Sequence, residues 1–92
     1  MRNDSKSLNV AAAGIMQAID AAGSMGAPGG VLYAGLMSAG YSLADFERVM
    51  AGLLAAELAD KCGQCYTLTG AGRILNEKIT AAIRAATEQR AA

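Results

Sequence analysis

Lys61-Cys62-Gly63-Gln64-Cys65-Tyr66 is the one stretch of this 92-residue chain whose residue types and spacing suit chemistry. Two thiols two residues apart can hold a metal, exchange electrons, or flank a tight turn. A structural zinc site takes four nitrogen or sulfur ligands, and the chain has two cysteines and no histidine. Within one copy Asp60 or water would have to complete the set; four thiolates would need two copies joined at this turn. A thioredoxin-type pair needs its first cysteine at a helix N-terminus, which stabilises the thiolate. Here Tyr66-Thr67-Leu68-Thr69 follows, and it is strand-like. The remaining reading is a hairpin turn, with Gly63 in the first central position as a type II′ turn requires. That register sets Cys62 opposite Cys65, Lys61 opposite Tyr66 and Ala59 opposite Leu68. The cysteines would then lie about 5.5 Å apart at Cα, close enough for oxidation to staple the turn. No metal and no cofactor is expected.

No other stretch offers catalysis. Asp45 and Glu47 are two apart on a predicted helix and point away from one another. There is no Ser-His or Cys-His arrangement and no carboxylate cluster. Gly26-Ala27-Pro28-Gly29-Gly30 precedes a helix but follows no expected strand, which weakens it as a phosphate cradle. The expectation is a protein that is not an enzyme.

The elements that must position these residues follow from periodicity. The chain is 53% hydrophobic, but with one Phe and no Trp, so its core must come from Leu, Ile, Met and Val between alanine-rich helices. Leu8, Ala12, Ile15, Met16 and Ile19 recur at helical spacing over 7–22. Pro28 is placed to open a second helix, where its missing N–H is harmless, and Val31, Leu32, Leu36 and Met37 form its stripe before Gly40. Ser42 with Asp45 three residues on resembles a capping box. Behind it Leu43, Phe46, Val49, Met50, Leu53 and Leu54 share one face of a third helix running to about residue 56. Two short strands surround Gly63-Gln64. Thr69 caps a last helix over 71–88, with Leu75, Ile79, Ala82, Ile83 and Ala86 as its stripe. Tyr33 and Tyr41 flank the second helix as packing residues, and the five methionines read mostly as core filler. This gives one domain over 7–88, a flexible N-terminus at 1–6 and a frayed end at 89–92. The fold class is mainly α with a small β-hairpin. No apolar run reaches the roughly 18–20 residues of a membrane span, and the N-terminus lacks the apolar core of a secretory signal. The expected location is cytoplasmic, with reduced cysteines.

Helix, helix, turn, helix, hairpin, helix resembles the winged helix-turn-helix superfamily over residues 8–88. Residues 27–58 are similar to its helix-turn-helix, with Gly40 in the turn and Ser42 opening the recognition helix. Leu68, Thr69, Gly72 and Arg73 resemble the pattern that opens the helix after the wing. The resemblance implies a small DNA-binding transcriptional regulator acting as a homodimer through its first and last helices. Tyr41, Ser42 and Arg48 would then stand at the major groove and Lys61, on the wing, would reach a phosphate; Arg2 and Lys6 are further phosphate candidates. This chain departs from the pattern in having Glu57 where a glycine often ends the recognition helix. Eight basic and eight acidic residues also cancel, so no global attraction to nucleic acid exists. Ala44, Asp45, Glu47, Arg48, Ala51, Gly52 and Ala55 lie off the core stripe. They bring no amide to read adenine. The alternative is a winged-helix module that binds another protein on the smooth face of Ala44, Ala51 and Ala55.

Overall fold

The computed structural model of the protein describes residues 5–91. Its order is α1 (Ser5–Ala22), a 3-10 turn (Gly23–Met25), β1 (Ala27–Pro28), α2 (Gly29–Ser38), α3 (Leu43–Ala55), β2 (Ala59–Cys62), β3 (Cys65–Leu68) and α4 (Gly70–Ala91). The fold is mainly α with a small antiparallel sheet, and the hairpin falls between α3 and α4 as expected.

Three chain segments depart from the sequence expectation. Ser5 and Lys6 already belong to α1, and α4 runs past residue 88 to Ala91; Arg2 lies outside the described residues. Pro28 is not the first helical residue. It is extended, with φ −63° and ψ 139°, and precedes the first turn of α2. With Ala27 it forms a third strand, which gives the sheet order β1-β3-β2. Ala27 pairs with Tyr66 and Pro28 with Cys65. An edge strand is the place in a sheet that tolerates a residue without an N–H.

The core gathers on one stripe of α1, where Ile19 and Met16 are the most completely buried large side chains. Each contributes about 1.5–3 kcal/mol by leaving water. Around them lie Leu32 and Leu36 of α2, Val49, Met50 and Leu53 of α3, and Ala59, Tyr66 and Leu68 of the hairpin. Tyr33 stacks on Phe46 at a tilt of 52°, with ring centres 5.6 Å apart. Three expected stripes are only partly used, for Leu43 of α3 is exposed. Val31 and Met37 of α2 are exposed, and on α4 only Ile79 packs against the core while Ile83 is 51% exposed. Met25 is exposed as well, so of the described methionines only Met16 and Met50 fill the core. In α4 the buried positions are instead Gly72 and Asn76, and the Asn76 Oδ1 atom has no hydrogen-bond partner.

Helices α2 and α3 end in the same way. After α2, Gly40 takes φ 97°; its N–H donates to Met37 O and the Tyr41 N–H donates to Leu36 O, both at 3.0 Å. After α3, Glu57 takes φ 60°; its N–H donates to Leu54 O at 3.1 Å and the Leu58 N–H donates to Leu53 O at 2.9 Å. Both are Schellman endings, in which a left-handed residue lets two successive N–H groups satisfy orphan carbonyls. Glycine adopts that conformation freely, whereas a glutamate pays about 1 kcal/mol for its Cβ. Glu57→Gly is therefore expected to stabilise the protein by about 1 kcal/mol and raise Tm by roughly 4–8 °C. A thermal melt showing no increase would locate the strain elsewhere.

Candidate functional site

The hairpin register is the one the sequence implies: Ala59 faces Leu68, Lys61 faces Tyr66 and Cys62 faces Cys65. Gly63 has φ 63° while the φ of Gln64 is not positive, the sign pattern of a type II′ turn. Alternation puts Ala59, Tyr66 and Leu68 on the buried face and Asp60, Cys62, Cys65 and Thr67 on the outer one. Both thiols are free; Cys62 is exposed and Cys65 half-buried.

Tertiary packing joins two sequence features that are 32 residues or more apart. The segment Gly26–Gly29 docks against the cysteine hairpin. The Gly29 N–H donates to Gln64 O at 2.9 Å. A Cβ on Gly26 would stand 3.1 Å from the Cys65 Cβ, and one on Gly29 would stand 3.2 Å from the Tyr66 Cε2. The glycine-rich stretch is thus no phosphate cradle here but the strand and helix start that seat the hairpin. Sequence reasoning missed this pairing; the signal available was the glycine at each end of Ala-Pro.

Helix α3 is held by its cap. The Asp45 N–H donates to Ser42 Oγ at 3.1 Å and the Ser42 N–H donates to Asp45 Oδ2 at 3.0 Å, the reciprocal capping box. Asp45, expected on the outward face, is 3% exposed because its carboxylate turns back into this cap. What α3 leaves outward is Ala44, Glu47, Arg48, Ala51, Gly52 and Ala55, all exposed.

The four residues expected to meet DNA are not gathered into one basic surface. Ser42 is exposed, and its oxygen accepts the cap hydrogen bond. Tyr41 is half-buried and lines an apolar groove between α1 and α2, of about 320 Å³, with Val10, Ile15 and Leu36. Arg48 lines a different groove of about 370 Å³, where Leu8, Ala12 and Met16 of α1 meet Leu75 and Ile79 of α4. The two grooves share no residue, so they lie along separate sides of α1. Lys61, on β2, places its Nζ 5.8 Å from the centre of the Tyr66 ring, within cation–π range. Glu47 neighbours Arg48 on the outward side of α3, and Asp60 and Glu57 are exposed beside Lys61 and at the helix end.

Thr69 does the work that its place before the last helix implied. Its Oγ1 accepts from the Gly72 N–H at 3.0 Å while its hydroxyl donates to Glu57 O at 2.7 Å. The hydroxyl therefore ties the start of α4 to the end of α3. Gly72 is required by the same junction, because a Cβ there would overlap the Leu58 carbonyl group.

Among the described residues no group of three or more Cys, Asp or Glu converges as a metal site, and no helix is long and apolar enough to cross a membrane. Compared with protein-family models, curated proteins and solved structures, the chain shows no match in any of the three.

Proposed function

We propose that the chain is a small cytoplasmic winged-helix protein that binds DNA as a homodimer and regulates transcription rather than catalysing a reaction. The observation that carries this reading is the pose of α3. It is a capped 13-residue helix on which Ala44, Glu47, Ala51 and Ala55 are exposed, followed directly by a hairpin whose tip residues are exposed. An α-helix of that kind fits the major groove, with Ser42 and Arg48 toward the bases and Lys61 reaching a phosphate from the hairpin, while Tyr41 packs into the groove between α1 and α2. The dimer forms through α1 and α4, where Val10, Ile74, Leu75 and Ile83 leave apolar surface exposed for a second copy.

A second reading is supported by the charge beside α3. Arg48 is accompanied by Glu47, and Lys61 by Asp60, so the surface has little net attraction for phosphate. Ala44, Ala51 and Ala55 form its smooth centre, and in this reading that face takes a helix of a protein partner.

The deciding experiment is fluorescence anisotropy of a labelled mixed-sequence duplex titrated with reduced protein. Arg48 and Lys61 from two copies neutralise about four phosphates, so raising salt from about 50 to 200 mM is expected to weaken binding on the order of a hundredfold. Arg48→Glu with Lys61→Glu is expected to abolish it. Absence of binding at the lower salt, or binding indifferent to the double charge reversal, overturns the DNA reading and leaves the protein-partner one.

A further inference from the structure

Cys62 and Cys65 are the only two cysteines of the chain, and the fold presents them as a matched pair. They are register partners across the turn, on the outer face, and both are free. Antiparallel partners stand about 4.5 or 5.5 Å apart at Cα according to the type of pair, and both distances fall inside the roughly 4.4–6.8 Å that a disulfide spans. The two thiols differ in how they are held. Cys65 begins the central strand β3, is paired with Pro28 and has Gly26 against its Cβ. Cys62 ends the edge strand β2 and is exposed. The turn between them is anchored from outside the hairpin by the Gly29 N–H on Gln64 O. An accessible thiol thus stands across from a braced one, with the turn already closed.

We propose that Cys62 and Cys65 form a reversible oxidation site that is closed to an intramolecular disulfide by exchange with a low-molecular-weight disulfide of the glutathione disulfide class. The Cys62 thiolate attacks one sulfur of the oxidant, forming a mixed disulfide and expelling one small thiolate. The Cys65 thiolate then attacks the Cys62 sulfur, forming the protein disulfide and expelling the second. The oxidant is reduced to two thiols, which carry the two protons that the cysteines lost. Closure joins the edge strand to the central strand at the tip, next to the docked Gly26–Gly29 segment, and so locks the hairpin in the register it already has. This site is independent of whether α3 meets DNA or protein.

The test equilibrates the full-length reduced protein with mixtures of reduced and oxidised glutathione, followed by acid quench, alkylation and intact mass. The expected product is a monomolecular species lighter by two hydrogens, with neither cysteine alkylated and no glutathione attached. Because the ring is small and already in register, closure is expected to lower the urea unfolding constant on the order of tenfold. Cys62→Ser and Cys65→Ser, each leaving one thiol, are expected to stop at the glutathione adduct. A wild-type protein that accumulates the adduct, forms only disulfides between copies, or closes with an unchanged or raised unfolding constant would overturn the proposal.

Discussion

Gly72→Ala is expected to destabilise the protein by about 3 kcal/mol or more, a large part of the roughly 5–14 kcal/mol available to a domain of this size. The reason lies in what a Cβ at position 72 would meet. It would overlap the Leu58 carbonyl, with the carbonyl carbon 2.9 Å away. That carbonyl has nowhere to go. It accepts the Thr69 N–H at 3.1 Å, while the N–H of the same residue donates to Leu53 O at 2.9 Å. Relief therefore means breaking either the Schellman ending of α3 or the entry to α4, and the Thr69 hydroxyl bonds to Glu57 O and the Gly72 N–H would be pulled apart with it. Gly35→Ala is the matched control: it is also helical, nothing stands within 4 Å of its added Cβ, and it should gain about 0.5–1 kcal/mol from helix propensity. Urea denaturation of both variants reads the two terms separately. A Gly72→Ala cost below about 1 kcal/mol would mean that the α3–α4 junction yields easily, contrary to its hydrogen bonding.

The second large effect is expected at Gly26, where Ala should also destabilise by about 3 kcal/mol. Two penalties add here. The residue has φ 84° and ψ 161°, a region essentially confined to glycine, which costs an L-residue roughly 1–3 kcal/mol. Its Cβ would also press on the central strand, 3.0 Å from Tyr66 O, 3.1 Å from Cys65 Cβ and 3.3 Å from Thr67 Cγ2, and overpacking of that kind costs about 1–3 kcal/mol. Gly23 separates the two. It too has a positive φ, of 68°, but nothing lies within 4 Å of its added Cβ, so Gly23→Ala should show a backbone penalty without a packing one. If the two variants melt at the same urea concentration, the docking of β1 on β3 contributes nothing to stability. A larger loss at Gly26 reports its glycine-only backbone together with its close approach to β3.

Much of the architecture is legible from local rules. The capping box at Ser42 and Asp45, the stripe of Val49, Met50 and Leu53, the type II′ turn at Gly63 and the full register of the β2–β3 hairpin all depend on residues within a few positions of each other. Their energetics are decided by short-range hydrogen bonds and by side-chain period, which a sequence displays. The candidate site was less legible. Tyr41, Ser42, Arg48 and Lys61 stand out only by analogy of position, and the direction each side chain takes depends on neighbours far away in the chain. Tyr41 turns toward α1 because the ending of α2 carries it against Leu36, and Arg48 runs beside α1 because that helix occupies the flank of α3.

The four helices, the caps at Ser42 and Thr69, the hairpin with its opposed cysteines and the balance of charge follow from composition or from contacts close in the chain. Contacts between distant segments make Ala27 and Pro28 a strand against Tyr66 and Cys65, seat the cysteine hairpin on the glycine-rich segment, and leave no room for a side chain at Gly72 beside Leu58. A glycine in a sequence announces freedom of the backbone. Whether that freedom serves a turn, as at Gly40, or makes room for a carbonyl, as at Gly72, depends on which distant segment approaches it, and non-local packing sets that approach.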